Sequence, residues 1–106
     1  NDKIKITSPL QGSIVQSPLT VKGEARGNWY FEASFPLKLL DGNGQQIAVI
    51  PARAMGDWMT TQFVPFEATL KFLKPDTDTG VLIFIKDNPS GLLENDDSVS
   101  VPVRFK

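Results

Sequence analysis

The chain has 106 residues, 41% of them hydrophobic, enough for one core and no second; a chain of about 100 residues buries roughly two-thirds of its unfolded surface. Its 11 basic and 12 acidic side chains are interspersed and leave a net charge of -1, so with no basic patch and no long apolar span neither nucleic-acid binding nor membrane insertion of this segment is expected. Cysteine and histidine are both absent, which excludes a disulfide framework, a thiol nucleophile and cysteine-based zinc, and removes the commonest general base and metal ligand. The expectation is one non-catalytic domain over residues 1–106, with no cofactor and no metal.

Apolar residues recur at every second position, with turn residues between the runs. Ile4 and Ile6 alternate with Lys3 and Lys5 until Ser8-Pro9 ends the run. Ile14-Val15 follows, and after Ser17-Pro18 the residues Leu19, Val21 and Gly23 share one face. The two Ser-Pro-Leu cassettes, at 8–10 and 17–19, fit a split first strand better than an internal repeat. A long run then puts Trp29, Phe31, Ala33, Phe35, Leu37 and Leu39 on one side, with Tyr30, Glu32, Ser34, Pro36 and Lys38 opposite.

Asp41-Gly42-Asn43-Gly44 is a turn whose glycines and asparagine accept positive φ, and Gln46 to Arg53 reads as the returning strand of a hairpin. Ala54 to Thr61 is irregular, with room for a short helical turn. Val64, Phe66, Ala68, Leu70 and Phe72 alternate next, and Lys74 to Gly80 is a loop. Val81 to Ile85 is apolar on both faces, as a covered central strand would be. Asp87-Asn88-Pro89-Ser90-Gly91 is a turn, and Val99, Val101, Val103 and Phe105 form the last strand.

About seven strands at this spacing predict an all-β, immunoglobulin-like two-sheet antiparallel sandwich. Pro36, Pro65 and Pro102 fall inside strand runs and are expected at edges or bulges, where no ladder donor is needed. The cysteine pair of antibody domains is missing, as is a tyrosine before the sixth strand.

Three stretches run in the order of one family: Ile6-Thr7-Ser8-Pro9-Leu10-Gln11-Gly12, Val15 to Ala25, and Phe31-Glu32-Ala33-Ser34-Phe35. Leu40-Asp41-Gly42-Asn43-Gly44 and Phe66 to Phe72 continue it. From about Ile4 to Phe105 the chain resembles the immunoglobulin-like domain of bacterial spore germination proteins, which often follows a GerM-type germination/sporulation domain in secreted proteins or lipoproteins. The resemblance implies an extracytoplasmic location, secreted or anchored to the cell envelope, and a non-catalytic adhesive or wall-associated role. The partner it implies is a protein or a cell-wall glycan. It carries no catalytic or binding residues to transfer.

Candidate site residues come from the chain itself. Trp58, Tyr30 and Glu32 are candidates for a ligand site, the aromatics as platforms for a sugar ring and Glu32 as an acceptor for its hydroxyls. Trp29 and Tyr30 are neighbours and point to opposite faces of a strand, so one reading buries Trp29 and leaves Tyr30 packing across strands. Glu32 alternatively pairs with Lys38, Arg53 or Lys86, an exposed pair being worth about 0–1 kcal/mol. Glu32 and Glu67 are the carboxylates a hydrolase would need, although nothing in the sequence brings them to one cleft. Asp76-x-Asp78-x-Gly80 and Asp41 to Gly44 each match part of a calcium loop, but turn chemistry accounts for both. Leu82 and Phe84, with Leu92 and Leu93, form a possible interface: either the face of Leu82 and Phe84 is exposed, or the Leu92-Leu93 loop folds back over it.

Overall fold

The computed structural model describes residues 2–105. Among them are seven strands, β1 (Ile4–Ser8), β2 (Leu19–Arg26), β3 (Ser34–Asp41), β4 (Gln46–Ala54), β5 (Phe63–Leu70), β6 (Thr79–Ile85) and β7 (Ser98–Arg104). Helical structure is limited to single 3-10 turns at Gly27–Trp29 and Leu93–Asn95. The expected helical turn in the stretch 54–61 is not formed; β4 runs to Ala54 and the rest is bends.

The strands follow the order β1-β2-β5-β4-β3-β6-β7, every neighbour antiparallel. β4 and β5 share only two pairs, Arg53 with Glu67 and Ala54 with Phe66. At that short seam the ribbon folds into two layers, β1-β2-β5 and β4-β3-β6-β7. The second seam is nearly closed by the segment after β1, where Ile14 bridges Arg104 in parallel and Gly12 N–H donates to Pro102 O at 2.8 Å. Both Ser-Pro peptide bonds that bracket this segment, at Pro9 and Pro18, are cis. The predicted immunoglobulin-like sandwich is the fold observed, with the two layers remaining one hydrogen-bonded sheet.

Alternation fills the space between the layers. Val21, Phe35, Leu37, Leu39, Phe66, Leu70, Leu82, Phe84 and Val103 are buried there. Tyr30, Phe35, Phe66 and Phe84 form a chain of tilted and edge-to-face rings with centroids 5.4, 5.0 and 6.0 Å apart, the geometry aromatic quadrupoles favour.

Two strand readings need correction. The run from Trp29 to Leu40 is not one strand, because Glu32 and Ala33 take φ of 51° and 67°. Phe31 and Ser34 exchange backbone hydrogen bonds of 2.9 and 3.2 Å across them, so 31–34 is a two-residue type I′ turn. Phe35, Leu37 and Leu39 keep the expected inward face, but Phe31 points out and Tyr30 is buried. In β6 the inward set is Leu82 and Phe84, both fully buried, which excludes them from an exposed interface. Their ladder partners are Leu39 and Leu37. Residues opposite one another share a face, so the inward phase of β3 sets that of β6. Val81, Ile83 and Ile85 lie half-buried on the outer side.

Only Pro102 meets the edge expectation; Pro36 and Pro65 lie on the interior strands β3 and β5, at positions where one flanking ladder is incomplete. Pro36 faces Pro51, and β6 begins to pair with β3 only at Leu37, so neither missing N–H leaves a carbonyl stranded. Pro65 lies on β5 just outside its two pairs with β4, and its carbonyl accepts Met55 N–H at 2.8 Å. Pro102 is on the edge strand β7, its carbonyl turned out to Gly12. In the 41–45 turn only Gly44 takes positive φ, at 81°, while Asp41 Oδ1 accepts the N–H groups of Asn43 and Gln45 at 2.9 Å each.

Candidate functional site at one loop end

Three connections meet at one end of the sandwich: β2 to β3 (27–33), β4 to β5 (55–62) and β6 to β7 (86–97). Backbone hydrogen bonds tie them together. Gly27 N–H donates to Gln62 O at 3.2 Å, Ala54 N–H to Ala33 O at 2.8 Å, and Asp87 N–H to Trp29 O at 3.0 Å. Arg26 Nη1 adds a bond to Thr61 O at 3.0 Å. A side chain at Gly27 would collide with the carbonyls of Trp58 and Thr60, so only glycine allows the 55–62 connection to lie against the first turn.

The 55–62 connection has short internal supports. Asp57 Oδ1 accepts Met59 N–H at 2.9 Å, and Thr60 Oγ1 accepts Gln62 N–H at 3.1 Å. These Asx- and Ser/Thr-type turns leave large apolar side chains outside. Met55 is 62% exposed, Met59 77%, Phe31 40%, Leu92 52% and Leu93 86%. Trp58 is half-buried, packed partly on the core, with its ring edge-to-face with Phe31 at 6.4 Å. Five of the nine large exposed hydrophobics among the described residues therefore sit on these three loops, and the rest are divided among the 9–14 segment, β4 and the β5–β6 connection.

A groove of mixed lining runs between the first and third connections, with Asn28, Lys86, Asp87, Asn88 and Asn95 beside Tyr30 and Pro89. Its wall is held by a side-chain network. Asn88 Nδ2 donates to Leu92 O at 2.8 Å and to Asp96 Oδ1 at 2.6 Å, Ser90 Oγ donates to Asn88 Oδ1, and Asn95 Nδ2 donates to Ser90 Oγ.

The sequence-derived candidates divide. Trp58 and Glu32 come to the same end, Glu32 exposed on the turn that follows Phe31. No ion pair joins Glu32 to Lys38, Arg53 or Lys86 among the described residues. Tyr30 is a correction: it is buried, and its hydroxyl donates to Val64 O at 2.7 Å, so it offers no platform to a ligand. Burial holds its phenol far above the usual tyrosine range, Glu24 adds to that, and a hydrogen bond with the Ala25 backbone opposes it. Of the four interface candidates, Leu92 and Leu93 are exposed at this end, while Leu82 and Phe84 are in the core.

Trp29 is fully buried as the core reading expects, yet its Nε1–H has no acceptor among the described residues. Glu67 lies exposed on the outer side of β5, opposite Arg53 and Lys22 in the ladder. The partial calcium motifs form turns that brace each other, Gly42 N–H donating to Thr77 Oγ1 at 2.9 Å. No group of three or more acidic side chains able to hold a metal occurs among the described residues.

Phe31, Met55 and Met59 were missed as site residues. A signal was present: 55–59 contains Met, Trp and Met within a stretch that has no strand period, so no sheet face can bury them. Phe31 was hidden by its fit to the alternation on either side.

A family model described as the immunoglobulin-like domain of bacterial spore germination matches residues 3–92, from the start of β1 into the β6–β7 connection, and the chain belongs to that family. Among curated proteins no sequence matches it.

Proposed function

We propose that the domain is a non-catalytic contact module of the bacterial cell envelope, outside the cytoplasmic membrane, which meets a protein partner through its apolar loop end. One observation carries this reading: Phe31, Met55, Met59, Leu92 and Leu93 are all exposed on the three loops of one end, of which the 27–33 loop is hydrogen-bonded to each of the other two. Clustered exposed apolar surface marks an interaction site, whereas isolated exposed side chains do not. The β2–β3 and β6–β7 loops flank the same end that immunoglobulin variable domains use for recognition. Methionine suits such a surface because its unbranched, polarisable side chain adapts to an irregular partner. The extracytoplasmic placement draws on the family resemblance to domains of secreted proteins and lipoproteins.

The test is a photo-activatable residue at position 59 in the protein produced in its bacterial host, with the same probe at Thr69 on the outer side of β5 as control. A discrete protein adduct at 59 and not at 69, lost when Phe31 is replaced by Asp, is the expected outcome. Equal labelling at both positions would overturn the site assignment, and turnover of any wall glycan or peptide by the purified protein would overturn the non-catalytic reading. Resistance of the protein to external protease in intact cells, with loss of that resistance only on lysis, would overturn the location.

A second reading, binding of a carbohydrate or peptidoglycan strand, is favoured by one feature: a groove carrying Asn28, Asp87, Asn88 and Asn95 opens at the same loop end as Trp58 and Glu32. Retention on isolated cell walls that falls in a Trp58→Ala variant would select it; equal retention of the two proteins would remove it.

A further inference from the structure

Methionine occurs twice in this chain and cysteine not at all. Both methionines, Met55 and Met59, lie in the same 55–62 connection, and both are well exposed, at 62% and 77%. The sandwich interior is built from Val, Ile, Leu, Ala and aromatic side chains, with no sulfur in it. Every sulfur atom that a mild oxidant can attack therefore lies on the loop end, and none lies where its oxidation would disturb core packing.

We propose that Met55 and Met59 are an oxidation site, at which a peroxide converts the loop end from apolar to polar while the fold stays intact. At each residue the thioether sulfur attacks one peroxide oxygen. The O–O bond breaks and an S–O bond forms. The sulfur is oxidised by two electrons to the sulfoxide, and the other peroxide oxygen leaves as water when hydrogen peroxide is the oxidant. The product carries a strong acceptor and a chiral polar centre in place of an apolar thioether, and a reductase of methionine sulfoxide restores the original group. The backbone of this connection is held by the Asp57 and Thr60 turns, bonds that oxidation of the thioethers leaves in place. A consequence for partner binding rests on the contact reading above; the modification and the change in surface polarity do not.

The experiment treats the intact domain with hydrogen peroxide and reads mass, position, surface polarity and stability. The expected result is a gain of two oxygen atoms mapped to Met55 and Met59, at rates comparable to those of the same chain unfolded in urea. Retention on a hydrophobic-interaction column should shift to earlier elution, with an unchanged melting transition. A Met55→Leu/Met59→Leu variant should keep the original retention and show no peroxide-dependent shift. Strong protection of either methionine relative to the unfolded chain would overturn the proposal. So would unfolding on oxidation, or unchanged retention after two oxygens have been added. Loss of the crosslink at position 59 in untreated protein would instead count against the contact reading and leave these outcomes as they stand.

Discussion

Tyr30→Phe separates the buried phenol seen here from a surface ligand residue. The hydroxyl donates to Val64 O at 2.7 Å and is shielded from water. Val64 stays in the ladder opposite Ala25, so its carbonyl is not stripped of every partner. Loss of the bond to Val64 alone is worth about 0.5–1.5 kcal/mol, and loss of the Ala25 backbone bond to the same hydroxyl acts in the same direction. For a domain of this size the melting temperature should fall by roughly 2–12 °C. Urea denaturation with thermal melting at neutral pH measures it. An unchanged midpoint would refute the buried anchor and return Tyr30 to the surface.

The same residue gives a pH test with a definite sign. Burial raises the folded-state pKa of the phenol above its ordinary value of 10.0. The neutral form is thus favoured by folding, and the stabilisation is fully present below pH 10. As pH rises through 10 the unfolded chain releases this proton and the folded one does not, so stability falls. Tyr30 is the only tyrosine, so Tyr30→Phe removes this effect alone, and lysine titration cancels in the comparison. The stability gap between the parent and the variant should shrink above about pH 10. A gap that stays constant to higher pH would show that the phenol ionises equally in both states.

Phe35→Ala removes the ring at the centre of the Tyr30–Phe35–Phe66 stack and should cost about 3–5 kcal/mol; an unchanged denaturation midpoint would mean that the face of β3 is inverted. Gly27→Ala forces a methyl group into the carbonyls of Trp58 and Thr60, which should destabilise by about 1–3 kcal/mol and shift Trp58 emission to longer wavelength as the 55–62 connection lifts. The double substitution Glu32→Asn/Ala33→Gly relieves two left-handed residues and should stabilise by about 1 kcal/mol after the entropy of glycine is counted. Loss of stability in that variant would show that the turn is not type I′.

The sandwich was legible because alternation, turn residues and the absence of any helical period all agree, from Ile4 to Phe105. Two features resisted reading for identifiable reasons. Glu32-Ala33 is a type I′ turn without Gly, Asn or Asp, so nothing in the residue types interrupts the run from Trp29 to Leu40. Val81 to Ile85 is apolar at every position, and no period marks which phase points inward. That phase is set by β3, more than forty residues away in the chain, through the pairs Leu37–Phe84 and Leu39–Leu82. The candidate site was legible in part for the same reasons. Trp58 stands in a stretch with no strand period and was visible, Phe31 was masked by the false continuity of its run, and Tyr30 was set opposite the core face because that run was read as straight.

The two ends of the sandwich handle strain differently, and this bears on which end meets another molecule. At the far end, the positive φ of the 41–45 turn falls on Gly44, and the Asp41 carboxylate and Thr77 hydroxyl satisfy backbone donors there. Local chemistry and local conformation agree. At the loop end, two residues with a Cβ hold left-handed conformations and a buried indole N–H has no acceptor among the described residues. Five large apolar side chains also face water there. Left-handed non-glycine residues cost roughly 1–2 kcal/mol each, and an unmet buried donor about 1–3 kcal/mol. Folding alone would be better served by Asn-Gly at the turn and by polar residues at 31, 55 and 59. Unfavourable local choices that gather at one place are the pattern expected where a surface is shaped for something other than its own stability. The stabilising Glu32→Asn/Ala33→Gly variant therefore has a second readout: the melting temperature should rise while crosslinking from position 59 falls. A rise in both would remove the link between this strained turn and contact.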